Sequence, residues 1–254
     1  MIHFFRQIRR NLLSENKFTK YLLYALGEIL LVVIGILIAL AINNGNQNRI
    51  NKKNEQLYLI GLKEEFATSK TKLKELIAIN RNNLMGATRI LSYVMEKNEL
   101  PNEIEFSELL YHTFSSDIAF NPNNSLLTEI ISSGNLKNIS DPDLRIQLTN
   151  WLSTLEDISR QESDLTLQRE KVLDLFRTDE YSLNTIFQQA GVNKSLNLPE
   201  KHQKMSNLNL LKSTEFENKI LLFISATYAT ENAHYDPLME DLDFILGSIE
   251  KELN

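Results

Sequence analysis

Four histidines and 33 acidic residues are the raw material for chemistry in this chain. His3, His112, His202 and His234 never stand three or four residues apart, so no two share a helix face as zinc ligands would. Glu231-Asn232-Ala233-His234 makes one Glu-x-x-His, and Glu108 stands four residues before His112. Either pair could bring a carboxylate and an imidazole together on one helix face. A di-iron bundle needs two such motifs and two further inward glutamates. With one present, the reading is of solvated pairs, with no metal site and no cofactor. Cysteine is absent, which leaves no thiolate ligand and no disulfide framework. Phosphate-cradling glycine loops and a nucleophile elbow are also missing. A non-enzymatic role is expected.

The remaining chemically notable residues are polar groups on apolar stripes. From Leu144 the positions Leu148, Trp151, Leu155, Ile158, Glu162, Leu165, Arg169, Val172 and Phe176 step by 4 and 3. That is the face a helix turns toward a core. Glu162 and Arg169 are its polar members, two turns apart, and such pairs fix register or bond across a bundle. Glu28 is the one charge in a 22-residue apolar run, Tyr21 to Ile42.

That run organises the chain. As a helix it spans about 33 Å, enough for a hydrocarbon core of about 30 Å. Ala39-Leu40-Ala41 has the form of a signal cleavage site, but the segment it would end is longer than the typical 15–30 residues or so. The run is read as an uncleaved anchor. Arg6, Arg9, Arg10, Lys17 and Lys20 precede it, which predicts a cytoplasmic N-terminus and an external remainder. Glu28, Gly35 and Ala39 share a helix face, and Gly35 to Ala39 is a small-xxx-small pattern. Two readings stand: a self-associating seam, or common membrane-helix residues with Glu28 snorkelling to the headgroups.

Three regions follow: a basic amphipathic segment over 1–20, the transmembrane helix over 21–42, and an all-α bundle over 43–254. Ile2, Phe5, Ile8 and Leu12 recur at helical spacing in the first, suiting it to a leaflet surface. Residues 1–42 hold 5 basic and 2 acidic residues, leaving 22 and 31 in the rest, a net of −9. Such a surface repels phosphate backbones, so nucleic acid is not an expected partner.

With 8 Gly and 5 Pro, long helices are predicted. Asn43 to Asn54 leaves the membrane with a hinge at Gly45. A long helix then carries Leu59, Leu62, Phe66, Ser69, Leu73, Leu76 and Asn80, and after a stutter Leu84, Ala87, Leu91 and Val94. Gly134 closes a helix begun near Ser125, and Asp141-Pro142 opens the next. Asn193 to Gln203 reads as a loop. Thr214 to Glu217 reads as a capping box. Asp236-Pro237 either kinks the last helix or restarts it.

FFRQIRRNLLSENKFTKYLLYALGEILLVVIGILIALAINN (4–44), LKEEF (62–66), LTEIISSGNLKNISDPDLR (127–145) and STEFENKILLF (213–223) carry a resemblance. They resemble a bacterial family of uncharacterised single-pass membrane proteins, a domain of unknown function, over essentially the whole chain. Where members often have Trp in an INNWN-like string, this chain has Gly45. The resemblance implies a membrane-anchored helical protein and brings no known activity. Placed in a bacterial inner membrane, residues 43–254 would occupy the periplasm. The expected function is a scaffold or protein-interaction module with the lipid bilayer, its own copy and an unidentified protein as partners. The alternative is a ligand-sensing bundle that signals through a membrane partner.

Overall fold

The computed structural model describes residues 18–96, 100–199 and 205–253. The amphipathic segment expected over 2–13 lies outside them. The described chain is all-α, with no strand among the described residues. It divides into two compact units, Met1–Gln56 and Leu57–Asn254.

Helix α1 runs over Phe18–Met95, 78 residues. The hinge expected at Gly45 is absent; the backbone is helical through Asn43 to Asn54. Gln47 Nε2 donates to Asn51 Oδ1 at 3.0 Å, an i,i+4 bond that supports helix in this polar stretch. Every Leu, Ile and Val from Leu22 to Ile42 is exposed. This is one helix long and apolar enough to cross a membrane.

In the second unit, α1 presents Leu59, Leu62, Phe66, Ser69, Leu73 and Asn80 to the core, as the spacing predicts, while at the expected Leu76 it is the adjacent Ile77 that is buried and Leu76 is partly covered. Beyond Asn80 the buried positions are Asn83, Ala87 and Ile90, with Leu84 and Leu91 only partly covered. The face continues by steps of 3, 4 and 3 with no stutter. The apolar pattern misled because the inward residue there is an asparagine.

α2 (Glu103–Phe114) opens with a reciprocal cap: Asn102 accepts from the Ile104 and Glu105 amides while Glu105 accepts from the Asn102 amide. Thr113 of α2 fills the space a side chain at Gly86 would need, so α1 and α2 approach closely there. α3 (Ser125–Ser132) ends at Gly134, whose φ of 69° is left-handed, as a helix-terminating glycine permits. α4 (Pro142–Leu173) starts as expected, with Asp141 accepting from the Asp143 and Leu144 amides.

α5 (Leu183–Gln189) closes at Gly191, φ 74°. The segment expected as a loop from Asn193 begins inside a short helix, α6 (Val192–Leu196). α7 (Thr214–Ala229) is capped by Ser213, which accepts from the Phe216 amide. Thr214 is the first helical residue, so the cap lies one residue earlier than the expected box. A π turn over Thr230–Tyr235 joins α7 to α8 (Asp236–Leu253). Pro237 therefore neither ends the helix nor begins a separate one. The Asp236 amide reaches the Glu231 carbonyl, five residues back, and this wider turn accommodates a ring that cannot donate.

α4 packs on α7 and α8, and α2 packs on α5. Phe106, Trp151, Phe216, Phe223 and Tyr235 are among the largest fully buried side chains. Exposed ion pairs such as Lys63–Glu250, at 2.9 Å, decorate the surface and contribute little.

Candidate functional site

The polar groups enclosed by this bundle are the candidate site. Asn80 on α1 donates to the Thr227 carbonyl at 3.0 Å and to Glu231 Oε2 at 3.4 Å. The neighbouring Arg81 donates to Glu231 Oε1 at 2.5 Å. Gln161 on α4 donates to Thr230 Oγ1 at 3.1 Å. One turn of π-helix thus presents Thr230, Glu231 and Tyr235 to two flanking helices. The longer turn lets three polar residues point inward where an α-helix would offer fewer.

Glu231 is the glutamate of the Glu-x-x-His motif, and the structure corrects the expectation of a solvated pair. Glu231 is 8% exposed and bonded to α1. His234 instead lines a groove with Asp157, Arg160 and Gln161. Glu108 and His112 are both exposed, and His112 stacks edgewise near Tyr111. Among the described residues, no group of three or more His, Asp or Glu is placed to hold a metal.

Glu162 is buried and Arg169 partly so, on one face of α4. They bond to different partners, not to each other. Glu162 Oε1 accepts from the Phe120 amide at 2.8 Å and from the Tyr235 hydroxyl. Burial pushes the Glu162 carboxyl above its ordinary pKa, against the opposing pull of those two donors. Burial likewise raises the Tyr235 hydroxyl, and the adjoining carboxylate raises it further. Tyr235 therefore stays a proton donor. Arg169 Nε donates to the Phe114 carbonyl at 2.8 Å, at the C-terminal end of α2 where a cation is favoured. Its Nη1 bonds Glu170 at 3.0 Å.

These two residues belong to a larger pattern. The irregular connection 115–124 is fastened by side chains from the long helices. Trp151 Nε1 donates to Asn124 Oδ1 at 2.9 Å, Lys72 to the Asn121 carbonyl at 2.8 Å, and Thr166 to Asp117 at 3.0 Å. Just beyond, the buried Glu65 accepts from the Leu126 and Leu127 amides, at 2.7 and 3.2 Å. A carboxylate there satisfies two donors that a helix N-terminus leaves unpaired. Sequence reasoning missed Glu65 and Asn83, and read Glu231 as one of a solvated pair. For Glu65 a signal existed: it stands three after Leu62 and four before Ser69, on the core side of the wheel.

In the apolar stretch of α1, Glu28 is half-buried while Gly35 and Ala39 are exposed along the same face. A Cβ built at Gly35 would meet nothing within 4 Å.

Chemically, the layer offers hydrogen bonds that tie the helices together, and Glu162 is enclosed by its two donors. Residues 28–186 match the model of a family described as "Family of unknown function (DUF6090)". No curated protein and no solved structure matches the chain.

Proposed function

The chain belongs to DUF6090, a family of unknown function, and we propose that it is a helical scaffold or protein-interaction module held to a membrane by α1. The observation that carries this reading is the apolar surface of residues 22–42. Leu31 is 72% exposed and Ile42 69%, with the other leucines, isoleucines and valines of the run also open. Such a continuous apolar surface is stable in lipid and costly in water. The basic flank before Tyr21 orients the helix with its N-terminus in the cytoplasm. In a bacterial inner membrane the bundle would then stand in the periplasm.

A reporter active only outside the cytoplasm, fused after Asn254, is expected to be active. The same reporter fused before Met1 is expected to be silent. The reverse pattern, or a protein released by alkaline carbonate washing, would overturn the reading.

Self-association through Glu28, Gly35 and Ala39 is part of the proposal. The open Gly35 face would admit a second backbone, and a protonated Glu28 would bond to its copy. Gly35→Ile and Glu28→Leu are each expected to lower the signal of residues 1–50 in a membrane two-hybrid assay. A wild-type signal no higher than that of a monomeric control would sink the idea.

The second reading is a ligand-sensing bundle coupled to a membrane partner. It is favoured by one specific feature, an apolar cleft with Arg169 in its wall.

A further inference from the structure

Between α2, α4, α5 and α6 lies a cleft of about 340 Å³. Leu110, Phe114, Leu173, Ile186 and Phe187 supply its apolar wall, and Tyr111, Ser115 and Arg169 are polar members of it. Leu183 and Leu196, also in the wall, are 40% and 57% exposed, so the mouth is apolar as well. We propose that this cleft binds a free medium-chain fatty acid, with its carboxylate on Arg169 and its chain against the α2–α5 wall.

The head-group assignment rests on the guanidinium. Nε is held by the Phe114 carbonyl at 2.8 Å and Nη1 by Glu170 at 3.0 Å. Nη2 has no partner among the described residues, although the side chain is only 15% exposed. A planar cation with unused donors beside an apolar wall fits a carboxylate. Glu170 does not cancel this charge, because it is shared with Arg177 at 2.6 Å. Arg169, Lys171 and Arg177 stand against Glu170 and Asp174, three cations against two carboxylates.

The chain assignment rests on size and lining. The cleft lies near the small end of the range for small-molecule sites, which suits a single chain of roughly eight to twelve carbons and not a two-chain lipid. The α6 side of the cleft also carries an unsatisfied side chain. Both amide atoms of Asn193, on α6 beside the lining residue Val192, are buried with no hydrogen-bond partner. Such atoms call for an explanation, and two short helices that repack around a guest supply one.

This inference gives chemical content to the ligand-sensing reading, and topology or partner results leave it untouched. The test uses the full chain in phosphatidylcholine nanodiscs and decanoic acid carrying a terminal diazirine. After irradiation, adducts are mapped by peptide mass spectrometry. Adducts are expected on residues 110–115 and 183–196. The matching diazirine alcohol should label those residues at least tenfold less, a comparison made on the wild-type protein. Arg169→Gln should lower labelling by the acid at least tenfold while leaving the circular dichroism spectrum unchanged. If the variant does not fold, the acid-to-alcohol comparison alone decides. Equal labelling by acid and alcohol, or adducts confined to residues 18–42, overturns the proposal. So does pocket labelling that survives Arg169→Gln in a folded variant.

Discussion

Trp151→Ala will destabilise the bundle by about 3–5 kcal/mol, the usual cost of emptying a buried aromatic site. Trp151 is 1% exposed, and its ring lies 5.1 Å from Phe66 and 6.3 Å from Phe120, centroid to centroid. It joins α1, α4 and the 115–124 connection. Removing it forfeits aromatic contacts on two sides and strands Asn124, which accepts the indole N–H at 2.9 Å. Trp151→Phe keeps most of the volume and loses the hydrogen bond, so about 1–2 kcal/mol is expected. Urea unfolding of the full chain, followed by circular dichroism, measures both. Fluorescence would not serve, since this is the single tryptophan. A Trp151→Ala cost within about 0.5 kcal/mol of zero would mean the site is not part of a packed core.

Glu162→Leu has the next largest expected effect, roughly 2–4 kcal/mol. It strands the Phe120 amide and the Tyr235 hydroxyl, each a buried donor worth about 1–3 kcal/mol when unsatisfied, and leucine's own burial offsets part of that. Adding Tyr235→Phe removes one stranded donor, so the double variant should be more stable than the sum of the two singles. Additivity would show that the two side chains do not meet. Glu162→Gln keeps an acceptor and should be far milder than the leucine change.

The same carboxyl carries a pH signature. Its folded pKa lies above the ordinary value of 4.5 because burial disfavours the charge. The folded state therefore binds a proton more readily than the unfolded chain. Stability from this group is fully present below pH 4.5, falls as pH rises through the folded pKa, and is flat beyond it. Asp241, raised by burial and by Glu240, contributes with the same sign. The informative quantity is thus the difference between wild type and Glu162→Gln, which should lose part of the slope. An identical slope in both would place Glu162 in contact with solvent.

How much of this could be read beforehand depended on the kind of signal. The apolar N-terminal stretch of α1 and the whole of α4 were legible because each is a long, uninterrupted statement. A 22-residue run with a single charge has few alternative homes. Asp141, Pro142 and the following stripe agree on where α4 starts and which way it faces. The face of α1 past Asn80 was not legible, because a buried asparagine looks like a surface residue and Leu84 beside it looks like core. The Ser213 cap was missed by one residue because serine and threonine both cap helices, and Ser213 and Thr214 are adjacent. The partners of Glu162 and Arg169 were beyond reach for another reason. Phe120 and Phe114 contribute backbone atoms, and a backbone atom carries no sequence signature. The cleft likewise depends on α5 and α6 meeting α2, a tertiary event that no local pattern encodes.

The π turn has a consequence for what lengths of chain this fold will accept. Core residues step by 4, 3 and 4 from Phe216 to Thr227, and by 4, 3 and 4 from Leu238 to Ile249. Between them Thr227, Glu231 and Tyr235 are spaced by 4 and 4, about one residue more than a straight helix can keep on one face. The wide turn absorbs that residue. Loss of a single codon anywhere in 230–235 would leave a continuous, better-bonded α-helix. Leu238, Leu242, Ile245 and Ile249 would still face the core, whereas keeping the surplus residue without the wide turn would rotate the last 18 residues by about 100° and turn them out. What such a loss would alter is the inward polar set of Thr230, Glu231 and Tyr235, which the wider turn brings together. Homologous genes one residue shorter in this interval should keep the apolar stripe of α8 and lose part of that polar set.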